Sequence, residues 1–199
     1  MTERGVRLGT VQETLLIPLY GRAVEHRKPE PALRDPTEEI VASIDYDFSR
    51  FDNQPSLFGS VLRTSLFDCW IADFLAAHPA GTVVEIGTGL NTRYERVDRG
   101  RARWFDLDLP DVIDLRRTFF SDAPRRTMVS GSVTDEAWTD TVSQADGPYF
   151  FAAEAVLPYL EESEVRHVVD LIANVSPVRC WPWTPTVPTS STTRTSTTC

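Results

Sequence analysis

Glu85, Gly87, Gly89 and Asp108, all within residues 82–110, are the first side chains and turns that could build a binding site. Thr82-Val83-Val84-Glu85-Ile86 is a short β-branched run that breaks at Gly87-Thr88-Gly89. A buried strand ending in glycines spaced one apart lets a ligand approach the backbone, because no Cβ stands in the way. Further on, a second run from Ala102 to Leu107 ends in Asp108. A carboxylate about twenty residues after such a turn can accept hydrogen bonds from both hydroxyls of a ribose. This is the layout of a nucleotide site on a doubly wound sheet.

Spacing alone does not name the cofactor. A dinucleotide fingerprint has a third glycine, for tight helix packing over a pyrophosphate. Here Leu90-Asn91-Thr92-Arg93 follows Gly89, so that glycine is absent. Glu85 adds negative charge at the turn. The combination suits a cofactor with no phosphates and a cationic centre, such as S-adenosylmethionine, better than a nicotinamide dinucleotide. An ordinary glycine turn after a strand has the same G-x-G spacing; Glu85, Arg93 and Asp108 are what set this one apart.

Periodicity and capping signals outline the helices and strands around these groups. Thr10 and Glu13 have capping-box spacing, which predicts a helix start, with Pro18 kinking or ending it. Lys28 to Pro36 is rich in proline and charge and reads as a loop, and Pro36 to Ile44 as a short helix. Asp45 to Phe51 has no clear period. Gly59 to His78 is a helix with an apolar stripe of Phe67, Trp70, Ile71, Phe74 and Leu75. Arg63 lies one turn before that stripe, where an arginine is ordinarily a solvated charge. Pro110 opens a helix through Phe119 or Phe120, with Leu109, Val112, Ile113 and Leu115 inside and Arg116 and Arg117 near its negative end. Thr127 to Ser130 is a third strand, leading to Gly131-Ser132-Val133. Tyr149 to Ala153 is a fourth, closed by Glu154 at the carboxyl end, where open α/β sheets bind ligands. A last helix carries Val165, Val168, Val169 and Ile172 on one face.

The 199 residues suffice for one domain with a sizeable core, and the net charge of -9 argues against nucleic acid or an anionic membrane as a partner. No stretch reads as a secretory leader or a bilayer span. Cys69, Cys180 and Cys199 lack metal-type spacing, which points to a reducing cytoplasm and no zinc site. His26, His78 and His167 have no neighbouring carboxylate or cysteine and are given no role. The composition breaks after residue 176. In the 23 residues 177–199, 11 are Ser or Thr, 4 are Pro and none is acidic. Such a segment cannot bury enough apolar surface to offset its ordering entropy and is expected to be disordered, with Trp181 and Trp183 its large apolar groups. A shifted or truncated reading frame is one explanation for a break where a further strand is due; resequencing the coding DNA tests it.

Several blocks together resemble the leucine carboxyl methyltransferase family, in its bacterial branch of polyketide-type O-methyltransferases. They are Gln12 to Leu15 with Arg22-Ala23, Val84 to Arg93, Trp104 to Ile113, Leu115-Arg116-Arg117, and Ala153 to Leu157 with Tyr159-Leu160. The resemblance implies an α/β class I methyltransferase fold, a Rossmann-like doubly wound sheet with an N-terminal helical cap. The C-terminal strands are missing from it. The domain would span residues 1–176, with the cap over 8–58 and a partial core over 59–176. S-adenosylmethionine is the implied cofactor and a small polyketide-like molecule the acceptor. Arg22 and Arg63 are the implied cations for the methionine carboxylate, and Gly87 the close-approach glycine with Glu85 and Gly89 beside it. Asp108 is the implied ribose carboxylate. Ser132 and Val133 would line the adenine, and Glu154 would be the acidic group after the fourth strand. Asn91 stands where the family usually has aspartate, Ala155 where it has glycine, and Pro158 where it has an unbranched apolar residue. Methyl transfer to a carboxylate or hydroxyl is the expected activity. A remnant that binds the cofactor without catalysis and, third, a nicotinamide-dependent oxidoreductase are the alternatives. No catalytic residue and no oligomeric state can be read from the chain.

Overall fold

The computed structural model describes residues 4–5 and 12–175. The expected cap at Thr10 and the tail beyond 175, with Cys180, Trp181, Trp183 and Cys199, lie outside the described residues.

A 3-10 turn at Gln12–Leu15 leads into α1 (Leu16–His26). Pro18 does not end this helix, which runs on to His26. It occupies the first turn, whose backbone N–H groups have no intrahelical partner in any case, so its missing donor costs nothing there. The loop that follows is as expected, and α2 is only Glu38–Ala42. Two-residue strands β1 (Arg4–Gly5) and β2 (Ile44–Asp45) pair in parallel. The stretch without a clear period contains a 3-10 turn, Phe48–Phe51, capped by the Asp47 side chain on the Ser49 N–H. Of its aromatic residues Phe48 stacks on Tyr20 of α1 and Phe51 meets it tilted. With Leu16, Leu19, Ile44 and Leu90 they form the core of the N-terminal cap.

The sheet has β3 (Thr82–Ile86), β4 (Arg103–Asp108), β5 (Arg126–Ser130) and β6 (Tyr149–Ala153), all parallel, in the order β5-β4-β3-β6. β3 is buried along its whole length, as a central parallel strand must be. On one face Val84, Ile86, Phe105, Leu107 and Val129 pack on α6 (Ala137–Val142) and α7 (Glu162–Val175). On the other, Val83, Trp104 and Ala152 pack on α3 (Pro55–Ala77) and α4 (Arg93–Val97). α5 (Pro110–Arg116) follows β4 and is shorter than its spacing implied.

Three face assignments differ from the expected ones. Trp70 is 47% exposed, and the buried side of α3 is instead Leu57, Val61, Thr64, Ile71 and Leu75. The helix is apolar nearly all round, so spacing by itself selects no single face. Val169 is likewise exposed, and α7 buries Val168, Leu171 and Val175. Leu109 turns to the rim of the cavity rather than inward. Gly21 lets α1 lie close on α3: an added Cβ would stand 3.0 Å from the Leu57 carbonyl oxygen. Among the described residues no helix is long and apolar enough to cross a membrane, and no cluster of His, Cys, Asp or Glu is placed to hold a metal ion.

Candidate functional site

The turns leaving the carboxyl ends of β3, β4, β5 and β6 open into one cavity of about 520 Å³, roofed by α1 and the first half of α3. Arg22, Arg63, Gly87, Gly89, Asp108, Ser132, Val133 and Glu154 all line it. Of the residues expected to form the site, Glu85 alone is not in the wall. It is buried behind it, accepting from Arg93 Nη1 at 2.9 Å and Asn91 Nδ2 at 3.2 Å.

The glycine turn is held from the next strand. Gly87 and Thr88 both donate to the Leu107 carbonyl, and Gly87 has φ +66°. A Cβ at Gly87 would overlap Val156 Cγ2, so the glycine also admits a protein neighbour, the turn after β6. Gly89 donates to Asp108 Oδ2 at 2.7 Å, and Leu109 to Asp108 Oδ1 at 2.8 Å. Each carboxylate oxygen has two lone pairs, so both keep capacity for a further donor. Burial pushes the Asp108 carboxyl above the ordinary aspartate value, against those two backbone hydrogen bonds. An enclosed carboxylate with two oxygens to spare and no cation in contact fits a pair of neighbouring hydroxyls.

The two arginines differ. Arg22 is 2% exposed, its Nε on Asp35 at 2.7 Å and its Nη2 on the Leu90 carbonyl at 2.7 Å. Burial lowers its pKa to about 10 in spite of Asp35. Its partner Asp35 also holds Arg96, so two arginines share that one carboxylate. The Arg63 side chain is 39% exposed, and among the described residues only its Nε has a partner, Glu154 Oε1 at 3.0 Å. Its two terminal nitrogens are left to present a planar fork to a carboxylate. Ser132 Oγ is engaged with Thr134 Oγ1.

Two arginines outside the expected contact set brace the site, Arg93 already marked by its place after the glycine turn and Arg116 not. Arg93 places its three nitrogens on Asp68, Glu85 and Glu154. Arg116, expected as a helix-end charge, is 1% exposed, donates to the Gly89 carbonyl and pairs with Asp106. Strand register explains the demand for both. Glu85 and Asp106 are partners across β3 and β4 and face the same side, so two buried carboxylates stand next to each other. Arg93 answers one; Arg116 and Arg126 answer the other. The sequence signal for Arg93 was its place just after the glycine turn. Nothing local marked Arg116.

A parallel sheet with a glycine turn after its central strand, an acid ending the next strand and a crevice over the carboxyl ends defines an α/β fold of the class I methyltransferase type. Residues 16–173 match the model of the leucine carboxyl methyltransferase family, and the chain belongs to that family. It is 40% identical over 162 residues, 80% of this chain, to the tetracenomycin polyketide synthesis O-methyltransferase TcmP of Streptomyces glaucescens, covering 60% of that protein. It is 33% identical over 85% of its length to the S-adenosyl-L-methionine-dependent methyltransferase dpfgK of Gibberella zeae, covering 62% of that protein. A putative S-adenosyl-L-methionine-dependent methyltransferase of Mycobacteroides abscessus is 30% identical over 84% of this chain, which covers 61% of it. The chain thus spans about three fifths of the length of the curated relatives it matches.

Proposed function

We propose that this chain is the S-adenosylmethionine-binding part of an O-methyltransferase acting on a carboxylate or hydroxyl of a small polyketide-like acceptor. The observation that carries the reading is Asp108: a half-buried strand-end carboxylate facing the cavity with one spare acceptor site on each oxygen. Asp108 would accept from the ribose hydroxyls. The terminal nitrogens of Arg63 would hold the methionine carboxylate, and Glu154 beside it would accept from the ammonium group. Gly131, Ser132 and Val133 form the wall by which an adenine would enter. When bound, S-adenosylmethionine supplies a methyl group activated by its sulfonium. The residues' part is alignment and exclusion of water, which can lower a barrier by roughly 7–11 kcal/mol. The described lining includes no His, Lys or Cys to serve as a general base. A carboxylate acceptor, ionised at neutral pH, needs none. The glycine turn lacks the third glycine of a dinucleotide fingerprint, which disfavours the nicotinamide reading.

Calorimetry on the 199-residue chain with S-adenosylmethionine and with NAD tests the cofactor; binding of NAD alone would reject the assignment. Since the chain spans three fifths of its relatives and β6 is an open sheet edge among the described residues, a cofactor-binding form without turnover is the second reading. Transfer of labelled methyl to an aromatic polyketide acid separates the two.

A further inference from the structure

Arg93 lies outside the cavity wall, yet it joins three of the elements that form it. Its side chain is 1% exposed, with Nε on Asp68 at 2.6 Å, Nη1 on Glu85 at 2.9 Å and Nη2 on Glu154 at 2.6 Å. Those carboxylates belong to α3, to β3 and to the turn after β6. Only a guanidinium offers three donor nitrogens in one fixed plane; a lysine has a single nitrogen.

We propose that Arg93 is a positioning residue of this site, holding Glu154 as an oriented anion at the cavity wall while Asp68 and Glu85 fix the guanidinium from behind. That Glu154 meets a cofactor rests on the reading above; that Arg93 sets its orientation and charge does not. Glu154 is enclosed by Arg63 and Thr64 from α3 and by Arg93 from α4. Arg22 of α1 acts on it through charge alone, and Glu85 and Asp68 stand behind Arg93. Burial works against its ionisation. The charge and hydrogen bond of Arg93, then the bonds from Thr64 and Arg63, outweigh burial and hold the carboxyl below the ordinary glutamate value. Of the two cations in contact, Arg63 is half open to water, which screens it. Arg93 is not. Removing Arg93 would therefore leave burial as the dominant influence on Glu154.

The test is a carboxyl-carbon NMR titration of glutamate-labelled protein, with Glu154→Gln to assign the signal. In the unaltered chain the Glu154 midpoint lies below that of a free glutamate. In the double variant Arg93→Gln with Glu85→Gln, which removes the cation together with one buried carboxylate, it rises to or above that value. The expected change in proton affinity is roughly tenfold or more. Should the double variant not fold, Arg93→Lys keeps the buried charge but replaces three nitrogens by one, and the midpoint must still rise. Calorimetry with S-adenosylmethionine at pH 5 and pH 7 adds a second readout. Relative to the unaltered chain, the variant loses more affinity at pH 5, where more of its Glu154 is protonated, than at pH 7. A residue that merely braced the fold would weaken both pH values alike. An unmoved midpoint in the Arg93 variants, or a Glu154 in the unaltered chain titrating at or above free glutamate, overturns the proposal. A low midpoint in a chain that ignores S-adenosylmethionine upholds Arg93's role and rejects the cofactor reading.

Discussion

Asp108 and Glu154 close one cavity from the strands on either side of β3, and their surroundings drive them apart. Asp108 is held by two backbone N–H groups with no cation touching it, and burial raises its pKa. Glu154 is held by two arginines and a threonine, which lower its pKa in spite of burial. The same position at the end of a strand thus yields two kinds of carboxylate. The first is an uncompensated acceptor, improved by any donor a ligand brings. The second is a balanced, fixed anion whose use lies in its direction. Position brings the acids to the crevice, and their partners decide what they can do there.

The strongest way to break this contrast is Arg93→Ala. It strips the cation from Asp68, Glu85 and Glu154 together, leaving buried charge uncompensated, and is expected to cost about 3–5 kcal/mol. Urea unfolding measures it; a loss within error of a surface substitution would mean the three contacts do not share one charge. Next is Gly87→Ala, at the bend between the two acids. The left-handed conformation alone costs an alanine about 1–2 kcal/mol, and overlap with Val156 adds to that. Adding Val156→Ala should recover the overlap but not the backbone cost. Full recovery would show that φ +66° is not held in solution.

Asp108→Ala is read in affinity for S-adenosylmethionine rather than in stability. Hydrogen bonds to a charged group are worth about 1.5–3 kcal/mol, so a loss of roughly tenfold to a hundredfold is expected. Glu161→Ala, on an exposed helix start, is the matched control. Equal affinities in calorimetry would count against the ribose role.

What could be read from the chain alone was what is local. The β-branched run, the glycine spacing and the acids ending the second and fourth strands carry their geometry within a few residues, and the crevice followed. The partners of those acids did not. Arg93 meets Asp68 across 25 positions and Glu154 across 61, and no spacing rule reaches that far. Asp68 stands in a largely apolar helix with nothing local to mark it, and Asp35 belongs to a loop rich in proline and charge. α6 was missed because Ala137–Val142 mixes polar and apolar residues without a clear stripe. Asn91 gains its meaning from the fold. Its amide donates to Glu85 and its side-chain oxygen accepts from Arg96, joining the turn to both buried and half-buried charges.

The subtlest test turns the contrast into two opposite pH profiles. For Asp108 the folded pKa lies above the ordinary 3.8. Its contribution to stability is full below the unfolded value and is lost as pH rises through the folded one. Relative to the unaltered chain, Asp108→Asn should therefore gain stability as pH climbs through that window. For Glu154 the folded pKa lies below the ordinary 4.5, so its contribution is present above the unfolded value and fades as pH falls through the folded one. Glu154→Gln should lose ground as pH rises across that lower window. Chemical unfolding from acid to neutral pH reads both differences, and their slopes must have opposite signs. Absolute stabilities do not decide the matter, since each amide also alters hydrogen bonding at every pH. Slopes of one sign would mean that Asp108 has found a cation, or that Glu154 has lost its own.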